Sequence, residues 1–561
     1  MKSTEFNAQT EKVNITIKAP NKADVTIQGE VGLTLMEILK NNGIYHSAIC
    51  GGKGTCGKCG ILVLAGEAEV TGADRNFFSE DELQKGYRLS CCTYIKRDHI
   101  NIKKDQTNIK KDHTKVSNNY TIMLLSGMEE TFHVVTEYDE DTVPQKSSAE
   151  VCQGSGGWGI AADIGTTTIA MQLVSLDTGE VLKTYRAING QRAYGADVIS
   201  RIEASNQGRG EELQDCIRRD LLLGLKELTQ NGEVPVKEMI IAANTTMIHL
   251  LLGYPCESLG RYPFTPVSVE KIQISCKELL GIADSFMVTL YPGISTFVGG
   301  DITAGLYALS FDQREKVSVL IDFGTNGEMA VGNKDRILVT STAAGPAFEG
   351  GNIICGTGSI PGAISSMVLT EGQVHVETID HMPVKGICGS GVIDITCELL
   401  KAGLLDETGL LAEKYFEEGF RIAEDENGRP VTFYQKDIRE IQLAKSAVRA
   451  GLETLILKYQ VSWEDIDVIY LAGGFGYGMN VENAIRIGLL PEKCRGKTEV
   501  AGNTCLKGAR LYMLERDGEQ RVEQIRKRAE EISLAKDKDF NRLYMEHMYF
   551  EPADVTVQPD G

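Results

Sequence analysis

The chain is expected to be a multidomain α/β protein: a small mixed module at the amino end, a polar linker, and a long α/β region made of two similar halves. Three observations predict this. Its 561 residues exceed the roughly 250–300 at which one hydrophobic core stops growing. The first hundred residues alternate apolar and polar positions in short runs around one helix-like stretch. Two later segments, GIAADIGTTTIAMQLV near 160 and SVLIDFGTNGEMAVG near 318, repeat one another as apolar strand, Asp-x-Gly-Thr turn and second strand.

Composition narrows the class. An apolar content of 42% with 24% charged residues is ordinary globular usage, and no apolar run reaches the roughly 18 residues of a membrane span. MKSTEFNAQTEK has no apolar segment behind its first lysine, so a signal peptide is not expected and a cytoplasmic location is. A formal charge of −20 argues against nucleic acid or an anionic membrane as partner, since both reward a basic face.

The elements follow in order. In residues 1–97, VNITI, ADVTIQ and GILVLAGEAEV read as strands and LTLMEILKNNGI as a helix. Residues 98–120 are polar and repeat NIKKD at 101–105 and 108–112, which reads as an exposed linker. Residues 121–158 form a short connecting or middle segment, with two or three strands in TIMLLSGMEETFHVVTEYDEDT before the flexible QGSGG. The two halves are expected over 159–316 and 317–515, and GEQRVEQIRKRAEEISLAK in the tail, 516–561, reads as an amphipathic surface helix.

CGGKGTCGKC, Cys50 to Cys59, places three cysteines five and two residues apart, with Cys91 and Cys92 next along the chain. Gly51, Gly52, Gly54, Gly57 and Gly60 let the backbone curl and turn N–H groups toward sulfur. Structural zinc usually takes two separated Cys-x-x-Cys knuckles. Three ligands on one loop favour a 2Fe-2S cluster, with zinc and a disulfide-prone loop as the alternatives. The loop resembles that of C-x5-C-x2-C ferredoxins of β-grasp type. In those the last ligand follows Arg-Leu-(Ala/Ser), and here RLSC ends at Cys91, so the resemblance implies Cys50, Cys56, Cys59 and Cys91 as ligands and Cys92 as a structural or spare thiol.

Asp163-Ile-Gly165-Thr166-Thr167-Thr168 and Asp322-Phe-Gly324-Thr325-Asn326 offer backbone N–H groups and hydroxyls suited to phosphate. The aspartates beside them can hold Mg²⁺ or orient a water. A third glycine loop, LAGGFG, follows the apolar DVIYLA. Together the three resemble the phosphate-1, phosphate-2 and adenosine motifs of the actin, sugar kinase and Hsp70 superfamily. The resemblance implies ATP in a cleft between the halves, Gly473 and Gly474 admitting the adenosine, and Asp163 and Asp322 as metal and water ligands. Asp301, in GGDITAG, is a further candidate for the same cleft, whereas His249 and the other histidines form no spaced set.

Further segments narrow the resemblance: NTTMIHLLLG (244–253) with PFTP after it, AAGPAFEGGNIICG (343–356), GICGSGVIDITCELLKAGLLDETG (386–409), GGFGYGMNVENAIRIGLLP (473–491), GNTCLKGA (502–509) and FNRLYMEH. Across nearly its whole length the sequence resembles the reductive activators of corrinoid-dependent enzymes. That implies ATP-dependent return of inactive Co(II) to Co(I) by one-electron transfer from the cluster. It also implies a corrinoid protein of a methyltransferase or acetyl-CoA pathway system as partner, a low-potential ferredoxin or flavodoxin as donor, and a homodimer. The alternatives are an ATP-dependent activator of an acyl-CoA dehydratase or aryl-CoA reductase, a non-hydrolysing ferredoxin-type carrier, and a small-molecule kinase with an added redox domain.

Overall fold

The computed structural model describes residues 12–18, 24–42, 44, 52–55, 57–95, 119–125, 157–230, 232–282, 286–426, 428–473 and 478–550. Cys50, Cys56, Gly474 and nearly all of the expected linker lie outside the described residues. The chain divides into two compact units, Met1–Glu130 with Gly190–Ala196, and Thr131–Asn189 with Asp197–Gly561.

In the first unit β1 (Lys12–Lys18), β2 (Val25–Glu30), β3 (Gly60–Ala65), β4 (Tyr87–Leu89) and β5 (Asn119–Leu124) form one sheet in the order β2-β1-β5-β3-β4. The alternation in β1 turns Val13, Ile15 and Ile17 inward, where they meet Ile61, Ile122 and the helix residues Leu35, Ile38 and Leu39. That helix, Leu35–Asn41, starts at Thr34, whose hydroxyl accepts from Glu37 N while Glu37 caps Thr34 in return. Strand β5 corrects the expected boundary at residue 97 and the assignment of 119–124 to linker and connecting segment. It lies mid-sheet, parallel to β1 and antiparallel to β3, with Tyr120, Ile122 and Leu124 buried. Its apolar face needs partners more than fifty residues away in the chain, which local patterning does not name.

The second unit holds two six-stranded sheets that share the order of five strands and differ in which edge carries the sixth. In the first, β6 (Trp158–Ile164), β7 (Thr168–Ser175) and β8 (Val181–Ile188) form a meander, β9 (Val236–Ala243) joins β6 in parallel, and β11 (Met287–Leu290) joins β9, with β10 (Ile272–Ser275) outside it. The second repeats this as β12 (Val317–Phe323), β13 (Gly327–Gly332) and β14 (Ile337–Thr342), then β20 (Ile466–Ala472) parallel to β12 and β21 (Thr498–Gly502) parallel to β20. The internal echo in sequence is thus a repeat of sheet order. Between β14 and β20 in the chain come a three-stranded sheet of β15 (Ala363–Thr370), β16 (Gln373–Thr378) and β17 (Gly386–Ile387), and a hairpin of β18 (Phe420–Glu424) and β19 (Pro430–Phe433).

Helices Gly300–Ala308 and Thr504–Leu514 pack so closely that a Cβ on Gly508 would lie 2.1 Å from Ala304 O. The tail is not the single surface helix expected over 518–536. Helix Gly518–Arg528 stops, β22 (Ala529–Glu531) pairs with β14, and helix Lys538–Glu546 follows. The polar sequence hides its anchors: Arg521 grips buried Asp312 at 2.7 Å, and buried Lys445 donates to the carbonyls of His547 and Tyr549 at 2.6 Å each. Among the described residues no helix is long and apolar enough to cross a membrane.

Candidate functional sites

The thiol site is set by strand register. β3 and β4 pair with Gly60 opposite Leu89, so Cys59, just before β3, comes beside Cys91, just after β4. Their sulfurs stand 3.3 Å apart, and Ser90 N donates to Cys59 O at 2.9 Å. Asp74 steadies the approach by accepting from Leu89 N at 2.7 Å, and Arg88 donates to Leu83 O and Ala68 O. Gly52, Gly54 and Gly57 adopt φ of 87°, 70° and 70°. At Gly57 a Cβ would fall 2.4 Å from the Phe77 ring, so the curl tolerates no side chain.

Cys92 Sγ lies 3.6 Å from Cys91 Sγ. The hydrogen bond with Cys59, then burial, pushes the Cys91 thiol upward. A pair of soft, crowded thiols suits iron–sulfur or zinc rather than a hard cation. Among the described residues no three His, Cys, Asp or Glu side chains are arranged to hold a metal ion by themselves, and the expected ligands Cys50 and Cys56 fall outside them.

The cleft site is built at the carboxyl ends of equivalent strands. Asp163 closes β6 and Asp322 closes β12, and in each turn the glycine N–H bonds back across the hairpin, Gly165 to Thr168 O and Gly324 to Asn326 O, both at 2.9 Å. Asp163 accepts from Asn503 Nδ2 at 2.7 Å and from the Cys505 thiol at 3.1 Å. Asp301 stands in the first turn of helix Gly300–Ala308 and Glu328 in β13.

These carboxylates raise one another. Burial first, then Asp301 and Asp163, pushes Asp322 up to about 8. Asp301 rises to about 7 through burial and Asp163. Glu328 is held well above the usual range by burial, Asp301 and Asp322, and Asp163 is raised chiefly by burial. No cation offsets the group among the described residues. Carboxylates gathered without counter-charge favour a proton or a divalent cation.

Hydroxyls and backbone complete the walls. Asn244 Nδ2 donates to Thr166 Oγ1 at 3.2 Å while its Oδ1 caps helix Thr245–Leu252. Gly473, at φ 87°, comes so close to the second hairpin that a Cβ would lie 2.3 Å from Phe323 O and 2.8 Å from Asp322 Oδ1. The structure therefore brings Asp163, Asp301, Asp322 and Gly473 together with both Gly-Thr turns, whereas Gly474 falls outside the described residues. His249 is a satisfied core side chain between Thr245 O and Val267 N.

Sequence reading missed Glu328, Glu349, Asn503 and Cys505. The legible signals were Asn503 as a helix cap in GNTC and the glycines around Glu349.

The chain is similar to known proteins along most of its length. Family models described as the C-terminal domain of RACo, the ASKHA domain, as the RACo middle region, and as the 2Fe-2S iron-sulfur cluster binding domain match residues 316–560, 158–314 and 18–96. The corrinoid activation enzyme RamQ of Eubacterium limosum is 32% identical over 418 residues, 70% of each chain. The [Co(II) methylated amine-specific corrinoid protein] reductase of Methanosarcina barkeri is 29% identical, over 69% of this chain and 76% of its own. A solved reductive activator for corrinoid, iron-sulfur protein superposes with a TM-score of 0.67 at 27% identity, covering 98% of this chain and all of that one.

Proposed function

This chain belongs to the reductive activators of corrinoid-dependent enzymes, and from that membership we propose that it returns the cobalt of a corrinoid protein from Co(II) to Co(I) in an ATP-dependent reaction. The partner is a corrinoid protein of a methyltransferase or acetyl-CoA pathway system. A low-potential ferredoxin or flavodoxin supplies the electron, and the chain works as a cytoplasmic homodimer. The observation that carries the reading is that one chain joins a pair of thiols 3.3 Å apart to a cleft of uncompensated carboxylates flanked by two Gly-Thr turns.

Cys50, Cys56, Cys59 and Cys91 hold the 2Fe-2S cluster, with Cys92 beside them. When bound, the cluster supplies one electron at a time at a low potential. Gly52, Gly54 and Gly57 let the loop curl through left-handed backbone, and the Asp74 and Arg88 contacts keep the Cys91 segment from shifting.

In the cleft, Gly165 to Thr168 and Gly324 to Asn326 grip the phosphates of ATP, and Gly473 with Gly474 admits the adenosine. Asp163 and Asp322 hold Mg²⁺ or orient the attacking water. Mg²⁺ takes one or two carboxylates, waters and phosphate oxygens rather than a cage of protein ligands. A cation entering this acidic cleft would return the raised carboxylates to their charged forms.

Nucleotide is needed because the electron travels uphill. Plant-type 2Fe-2S centres lie near about −400 mV, and each ~59 mV uphill costs tenfold for one electron. A coupling free energy of about 1–3 kcal/mol shifts an equilibrium ~5- to 150-fold, equivalent to about 40–130 mV. The test is the visible spectrum of a purified Co(II) corrinoid protein mixed with this chain and reductant, with and without ATP. Co(I) should accumulate only with ATP, and equal reduction without nucleotide would overturn the proposal.

A further inference from the structure

One side chain already occupies the place between the two hairpins. Thr167, in the first half, donates its hydroxyl to both oxygens of Glu349, at 3.2 Å each. Thr325, in the second half, donates to Glu349 Oε2 at 2.7 Å. Glu349 ends the short turn Pro346–Glu349, so a single carboxylate ties together hydroxyls separated by more than 150 residues in the chain.

The turn itself is held in place. Phe348 is 2% exposed and meets Phe323, the residue after Asp322, edge-on at 6.5 Å. Gly350 is left-handed, at φ 73°, and a Cβ there would lie 2.0 Å from Thr357 O. With the backbone wedged, the freedom that remains is rotation of the Glu349 side chain.

We propose that Glu349 is a latch displaced by nucleotide: without ligand its carboxylate holds the Thr167 and Thr325 hydroxyls, and the terminal phosphate of a nucleoside triphosphate takes both hydroxyls and turns Glu349 out. This rests on the reading of the cleft as a nucleotide site. Carboxylate and phosphate are both anionic acceptors, and a hydroxyl has one proton to donate, so the two cannot share these donors. Like charges at one place also repel, which adds to the exclusion. Binding of the triphosphate therefore removes one tie between the halves and substitutes another that only the γ-phosphate supplies. Glu349 is in this sense a positioning residue that distinguishes nucleotide-free from triphosphate-bound cleft.

The test is calorimetric titration of the full cluster-loaded chain with ATP and with ADP, comparing wild type, Glu349→Gln and Glu349→Ala. Removing the competing charge should tighten ATP binding about 5- to 150-fold, the usual range of coupling between two states, and should tighten ADP binding less. Tighter binding is a sign that local damage does not produce. Thr325→Val, which removes a hydroxyl wanted by latch and phosphate alike, should weaken ATP binding. If wild type and both Glu349 variants bind ATP equally, or the variants bind it more weakly, the latch is refuted while the nucleotide reading stands. If no chain binds ATP, the nucleotide reading fails and the latch with it.

Discussion

Replacing Asp322 with asparagine should stabilise the nucleotide-binding unit at alkaline pH while abolishing its nucleotide-dependent function. The Asp322 carboxyl is pushed from an ordinary 3.8 up to about 8, by burial first and then by Asp301 and Asp163. In the window between those values the folded chain keeps a proton that the unfolded chain releases. Its contribution is therefore fully present below the lower value, declines as pH rises at up to ~1.36 kcal/mol per pH unit, and levels off above about 8. A shift of about four units amounts to a gross ~6 kcal/mol. Asp322 is only partly buried by exposed area and its neighbours titrate with it, so ~1–3 kcal/mol is the magnitude expected after screening and coupling.

Asparagine has no charge to lose. The variant should gain ~1–3 kcal/mol at pH 8.5 and nothing near pH 3, below the ordinary value of 3.8, where aspartate is protonated in both states. The assay is urea unfolding followed by tryptophan fluorescence. The chain has two tryptophans, Trp158 and Trp463, both in the second unit, so the signal reports on that unit. Asp301, pushed up to about 7, acts with the same sign in both chains, and its coupling to Asp322 is included in the reduced magnitude. A variant less stable than wild type at pH 8.5, or a difference that does not change between pH 5 and 8.5, would refute the reasoning.

Three other outcomes are expected. Cys91→Ser should lose or distort the visible bands of the cluster and lower iron content, whereas Cys92→Ser should keep both; the reverse result would make Cys92 the ligand. Gly473→Ala places a methyl 2.3 Å from Phe323 O on a left-handed backbone, so it should cost ~1–3 kcal/mol and weaken ATP binding, read by thermal unfolding and calorimetry. Asn503→Ala removes both the 2.7 Å bond to Asp163 and the cap on Leu506 N at 2.8 Å; a loss of ~1–3 kcal/mol in urea is expected, and an unchanged midpoint would contradict that role.

The legible parts of this protein were those encoded over short stretches. Cysteine spacing on a glycine-rich loop, the Asp-x-Gly-Thr turns after apolar strands and the alternation in β1 all act within a few residues of themselves, so their chemistry shows in the order of the letters. Strand β5 was misassigned because it pairs with β1 and β3 and packs in the core with Leu35, Ile38 and Leu39, all distant in sequence. The tail was misread because Arg521 and Lys445 look like surface charges until Asp312 and the His547 and Tyr549 carbonyls are placed against them.

By itself the sequence determined the kinds of chemistry present: thiols spaced for a metal cluster, and paired turns for phosphate. Only the tertiary structure decided which charges face one another. Asn503 reaches Asp163 across 340 residues, and Glu349 reaches Thr167 across 182. Local sequence cannot announce such meetings, because the same glutamate in an exposed turn would be an ordinary solvated charge. Its role arises when two sheets bring their hairpins to within hydrogen-bond reach of it.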